Sequence, residues 1–146
     1  MHHIVVYINK ILTNDNNLNI HSKELYLPVK SMLMELSPFK VNLFLFFKLP
    51  AAFWCGVRLK KLSYTDSVVC VRHRWINQNP FKSMYFAVQA MAAELSTGAL
   101  VMSHIKQSGR SISMLVASSQ STFSKKATGK IYFTCSAGEK IKQAIA

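Results

Sequence analysis

Met84-Tyr85-Phe86-Ala87-Val88-Gln89-Ala90-Met91-Ala92-Ala93-Glu94-Leu95-Ser96-Thr97-Gly98-Ala99-Leu100-Val101-Met102-Ser103-His104-Ile105 decides the reading of this chain. Apolar or small residues recur at Met84, Val88, Met91, Leu95, Gly98, Met102 and Ile105, in alternating steps of four and three. That spacing predicts one long helix with a continuous buried stripe. Gly109 ends it and Ser83 is placed to cap its start. Glu94, in its middle, is the only carboxylate between Ser67 and Gly138. A carboxylate on so apolar a helix loses hydration unless a partner or a reaction uses it.

The stretch is long enough for a membrane span. Gln89, Glu94, Ser96, Thr97, Ser103 and His104 argue instead for a helix buried by protein, since a central acid costs a few kcal/mol in lipid.

Upstream, Ser37-Pro38 reads as an N-cap followed by proline at the first helical position. A short apolar helix over Phe39–Lys48 follows and stops at Pro50. Trp54–Ser63 and Ser67–Trp75 read as a hairpin joined by Tyr64-Thr65-Asp66. Asn77-Gln78-Asn79-Pro80 is loop chemistry. Downstream, Ile112–Phe123 and Lys130–Cys135 read as two more strands divided by Lys125–Gly129, and Gly138–Ala146 as a helix-like fragment. A helix apolar on most sides must be wrapped, so the fold class is α+β: an antiparallel β-sheet curled around a long central α-helix.

The 146 residues suit one domain over residues 31–146. Residues 1–30, rich in asparagine, read as a loosely attached extension without a signal-peptide pattern, and Met32 or Met34 as a natural start. Eighteen Lys and Arg against six Asp and Glu give a formal net charge of +12, which favours anionic partners. The cations are scattered or paired, with no long basic run, so nucleic acid ranks last among those partners. Cys55, Cys70 and Cys135 have neither disulfide-framework nor zinc spacing; reduced, mostly buried thiols in a cytoplasmic protein are expected.

Three segments together, Arg74-Trp75-Ile76-Asn77-Gln78-Asn79-Pro80, Ser83-Met84-Tyr85-Phe86-Ala87 and Met91-Ala92-Ala93-Glu94-Leu95-Ser96-Thr97-Gly98, resemble the loop and central helix of hotdog-fold acyl-CoA thioesterases of the phenylacetyl-CoA type, in particular a bacterial branch of them. The resemblance covers about residues 37–145. It implies a hotdog fold and a thioester-hydrolysing site between two subunits of a homodimer or dimer of dimers. Glu94 would be general base or nucleophile, and the backbone N–H of Phe86 the oxyanion donor. Asn79 would orient water or carbonyl, with Ser111 or Ser113 assisting the water. Arg72, Arg74, Lys125 and Lys126 would meet the phosphates of coenzyme A, which enters as part of the substrate; Tyr85 would line the substrate, and neither metal nor other cofactor is implied.

Two departures from the family pattern stand out. Relatives commonly carry His-Gly or Gly-Gly where this chain has Tyr85-Phe86, and they continue past the Lys130–Cys135 strand with a further strand pair, so the expectation is either a domain truncated at its C-terminus or another segment or subunit that fills the gap. Tyr85-Phe86 favours a rival reading, a non-catalytic acyl-CoA or acyl-chain binding protein. Bland alternatives stand beside each residue: Glu94 as a structural acid at a dimer interface, Asn77 and Asn79 as turn formers, Tyr85 and Phe86 as core or pocket wall, His73 as a surface or edge residue, and His104 as a cation placed by the helix dipole.

Overall fold

The computed structural model describes residues 36–116 and 118–145; the extension read over residues 1–30 lies outside them. The fold is α+β: α1 (Pro38–Lys48), α2 (Pro50–Trp54), β1 (Arg58–Leu62), β2 (Ser67–Arg72), a 3-10 turn (Trp75–Asn77), α3 (Phe86–Ser108), β3 (Lys130–Cys135) and α4 (Gly138–Ile145). The strands form an antiparallel sheet in the order β1-β2-β3. One face of it packs on α3, a hotdog-like arrangement.

α1 begins as its sequence dictates: the Ser37 side chain accepts from the Lys40 N–H at 3.4 Å, and Pro38 occupies the first turn, where no N–H is needed. Pro50 both stops α1 and opens α2, so Trp54 is helical rather than the start of a strand. Asn42 of α1 serves the outer edge of β1. Its amide donates to the Leu59 carbonyl at 2.9 Å and accepts from the Leu59 N–H at 2.9 Å. Next to this clamp the β1–β2 register shifts between Leu59 and Lys61, a bulge that bends the edge.

α3 meets the sheet through small side chains. Val88, Ala92, Ala93, Ser96, Thr97, Leu100, Val101, His104 and Ile105 are buried, whereas Met91, Leu95, Gly98 and Met102 of the expected stripe are only half-buried. Small residues win that face because they let the helix backbone approach β2 closely. The Ser67 hydroxyl, fully buried on β2, donates to the Ser96 carbonyl, while Ser96 and Thr97 return their own hydroxyls to Ala93 O at 2.7 and 2.9 Å. No buried hydroxyl on this face is left unpaired. α3 ends at Gly109 (φ 67°), whose left-handed conformation suits glycine.

The core has two parts along α3. One gathers α1, α2, the sheet and the first half of α3; the other joins Leu100, Val101 and Ile105 to Cys135 and to Ile141 and Ile145 of α4. All three cysteines are free thiols, and burial pushes the Cys135 thiol up. α3 is long and apolar enough to cross a bilayer, and half of that window is covered by the rest of the chain.

Several expectations are corrected. Residues 112–123 form no strand among the described residues. Ile112 and Met114 do turn inward against the second cluster, but the apolar alternation is short, and the run from Ser118 to Ser124 is mostly hydroxyl side chains that compete for backbone groups. Trp75 belongs to the 3-10 turn, and His73, just past β2, is half-buried rather than on the surface. Ser83 does not cap α3; Tyr85 is the N-cap and gives no side-chain bond. His104 is held by more than its place near the helix end. It is buried, stacks edge-on against Tyr64 at 4.7 Å and pairs its Nε2 with the Tyr64 carbonyl at 2.9 Å, tying the hairpin turn to α3.

The approach to α3 rests on Asn77. Its buried amide accepts from the Arg74 N–H at 2.8 Å and donates to the carbonyls of Cys55 and Arg72, both at 2.9 Å; its own carbonyl takes the Tyr85 N–H at 2.8 Å. Asn79 closes the next turn, accepting on Oδ1 from Phe81 N, Ser83 N and the Ser83 hydroxyl at 3.0–3.2 Å, with Lys82 in the left-handed region (φ 55°). Asn77→Ala therefore strands two carbonyls and is expected to destabilise the fold by about 2–4 kcal/mol, against about 0.5–1.5 kcal/mol for Asn79→Ala. Denaturant melts of the two variants check this order. Gly138→Ala is expected to destabilise as well, because a Cβ there would lie 2.3 Å from the Tyr64 carbonyl oxygen and 2.6 Å from Thr65 Cα, backbone that cannot swing away. A loss of about 1–3 kcal/mol in the same melts is the expected size.

Candidate functional site

Glu94 lies off the sheet side of α3. At about 100° per residue, a position one step past Ala93 and two past Ala92 turns away from a face centred on those two. The structure accordingly leaves Glu94 exposed, so this carboxylate keeps its water in the single chain rather than losing it as the apolar pattern implies.

Its surroundings are nevertheless specific. A groove of about 130 Å³ runs along α3 past Phe86, Ala90, Ala93, Glu94, Thr97 and Gly98, and its opposite wall is the irregular segment carrying Met114, Val116, Ser118, Ser119 and Ser121. Glu94 is the only ionisable group among the described residues that line it. The small residues make room: a Cβ at Gly98 would come to 3.5 Å from Met114 Cε, so the segment crosses the helix in contact with it. At the helix start, Phe86 and Phe123 meet edge-to-face at 5.6 Å.

The start of α3 also offers free donors. The Tyr85 carbonyl accepts from Val88 N (3.1 Å) and Gln89 N (3.3 Å), and with no capping side chain the N–H groups of Phe86 and Ala87 have no acceptor within the helix. Among the described residues they are uncommitted positive ends of the helix dipole.

Loops gather cations around this same end. Met84 N donates to Ala127 O at 2.8 Å, His73 N to Gly129 O at 2.7 Å and Lys126 Nζ to Phe81 O at 3.3 Å, drawing residues 73–85 and 125–130 together. Arg72 pairs across the sheet with Lys130, so Arg72, Arg74, Lys82, Lys125, Lys126 and Lys130 share one end of the molecule.

The structure thus brings Phe86 and Glu94 to one groove and leaves the other sequence candidates off its lining. Asn79 spends its side-chain oxygen on its own turn. Ser113 is exposed on the outward side of the alternation that turns Ile112 and Met114 inward, and Ser111 is exposed beside it. Tyr85 is exposed at the helix start, and Arg72, Arg74, Lys125 and Lys126 lie exposed beyond the groove. What the sequence reading missed is the polar wall: Thr97 and the serines at 118, 119 and 121. Its signal was the hydroxyl run itself, absorbed into an expected strand. A larger hollow of about 400 Å³ at the far end of α3, lined by residues such as Leu62, Tyr64 and Ser103, includes none of the candidates. Among the described residues, no group of three or more His, Cys, Asp or Glu side chains is placed to hold a metal.

Residues 40–144 match the family described as a domain of unknown function, DUF4442. No curated protein and no solved structure matches the chain. The match runs from the first turn of α1 into α4 and takes in the groove, the helix start and the cationic end, so the chain belongs to the DUF4442 family.

Proposed function

We propose that this protein binds and hydrolyses an acyl-CoA or related thioester, with Glu94 as the general base. The reading is supported above all by one observation: a single carboxylate borders a groove whose other described lining residues are apolar, small or hydroxyl-bearing. The apolar wall suits an acyl chain, and the cations around the start of α3 suit the phosphates of coenzyme A.

Geometry constrains how such a site works. Glu94 and Phe86 are eight residues apart on one helix, about 12 Å along its axis, whereas a base and an oxyanion donor serving one carbonyl must both lie within a few ångströms of it. A single chain therefore does not supply both. Two copies with α3 helices running antiparallel would place Glu94 of one against the Phe86 and Ala87 N–H groups of the other, and would also take water from the exposed carboxylate. Glu94 then accepts a proton from water and the hydroxide adds to the thioester carbon. The oxyanion rests on the helix-start N–H groups; the C–S bond breaks, and the thiolate leaves to take up a proton.

The edge-to-face pair of Phe86 and Phe123 favours a second reading, an acyl-thioester binder without hydrolysis, because those rings narrow the approach to the helix-start donors. Rates with a panel of acyl-CoAs separate the two. Glu94→Gln, a change at an exposed position, is expected to lower hydrolysis about 10²–10⁴-fold without altering the melt; activity that survives it removes Glu94 from the mechanism.

The two-copy geometry has its own test. Phe86→Pro removes the N–H at the first helical position, where proline fits, and Tyr85 already has the extended backbone that proline requires before it (φ −62°, ψ 139°). This variant should be inactive, while Phe86→Ala, which loses the ring and keeps the N–H, retains activity. Mixing Phe86→Pro with Glu94→Gln chains should restore about one quarter of the native rate, since each mixed pair rebuilds one of its two sites. No recovery on mixing would place both groups of a site in one chain.

A further inference from the structure

α1 is apolar on the side that faces away from the core. Val41 and Leu45 point inward, yet Phe39, Leu43, Phe46 and Phe47, at helical spacing on the opposite side, are exposed, and Phe47 retains 64% of its accessible surface. Leu49 and Trp54 extend this surface across α2, Trp54 also at 64%. The bond from the Asn77 amide to the Cys55 carbonyl sets the turn bearing Trp75, 83% exposed, beside the end of α2. Exposed aromatic side chains gathered on one side of two successive helices mark a contact surface.

Its charge is of one sign. From Leu36 to Thr65 the chain has five cations, Lys40, Lys48, Arg58, Lys60 and Lys61, and no Asp or Glu. Arg58 is pinned within the patch, its guanidinium 3.7 Å over the Phe53 ring and donating to Phe53 O at 2.8 Å. It is held below the ordinary arginine value, first by partial burial and then by the charge of Arg74. Two crowded cations beside exposed aromatic rings call for an anionic partner with an apolar interior.

We propose that the α1–α2 face docks on an anionic lipid bilayer, its Phe and Trp side chains entering the interface and its Lys and Arg side chains meeting the headgroups. A bilayer surface supplies both needs at once, and aromatic residues with flanking cations are the composition that partitions there. A second copy of the chain does not: an isologous contact through this face would bring its cations, Arg58 among them, against their own copies, with no Asp or Glu from residues 36–65 to pair them. The docking is separate from the groove on α3 and stands whether or not that groove hydrolyses thioesters.

The test is co-sedimentation of the full chain with vesicles of phosphatidylcholine, with and without about a quarter phosphatidylserine. Binding should require the anionic lipid, weaken in high salt, and fall about tenfold or more in Phe47→Ser/Trp54→Ser, whose positions are exposed and whose melt should be unchanged. In the Trp75→Phe chain, Trp54 is the only tryptophan, and its emission should shift to the blue on anionic vesicles. Absence of vesicle binding, equal binding to neutral vesicles, or unchanged affinity in the double variant overturns the proposal. A double variant that turns a dimer into a monomer, with neither form sedimenting with vesicles, would assign the face to a second copy and overturn it as well.

Discussion

The close contact between the small-residue side of α3 and β2 is the constraint on which the rest of this molecule depends. Ser67 can donate to the Ser96 carbonyl only because Ala92 and Ser96 keep the helix free of bulk on that side. Two buried elements that would otherwise hide polar groups from water are thereby joined with those groups paired. Fixing this side of the helix fixes the other. With the small residues turned to the sheet, Glu94 and Gly98 turn outward, and the serine-bearing segment has a surface to cross.

Much of this was legible in the sequence. The four-three spacing and Gly109 define α3, Ser37-Pro38 defines α1, and β2 and β3 follow from runs rich in Val, Ile and Thr set off by turn residues, whereas β1, Arg58–Leu62, holds no β-branched residue and is legible only as the partner of β2 across the turn. What was not legible is which side of α3 faces the sheet, because hydropathy weighs Met and Leu above Ala, Ser and Thr, while a close helix–sheet contact selects for size. The same blindness made Glu94 look buried. Asn77 and Asn79 read alike as loop formers, yet only the first sits inside, bonded to three chain segments, and burial by distant residues leaves no mark on local composition. The strand expected over 112–123 failed because its alternation spans only its first few residues.

For the groove, the sequence supplied the acid and the helix start but not their relation. The resemblance to thioesterases placed them in one site, while the rise of an α-helix keeps them about 12 Å apart in a single chain. That separation turns a question about catalysis into one about assembly. The cations at the helix start adjoin those around α1 and α2, since Arg74 of the first group lies close enough to Arg58 of the second to help hold it below the ordinary arginine value.

The near contact of Gly138 with the Tyr64–Thr65 backbone carries a consequence for how the protein breathes. Thr65 O accepts the Gly138 N–H at 3.1 Å, Tyr64 is gripped by His104, and Lys142 sits 5.5 Å over the Tyr64 ring, so the C-terminal helix and the hairpin tip share one set of fastenings. Neither can lift without loosening the other, and their amide protons should exchange as one cooperative unit, distinct from the α1-side half of the molecule.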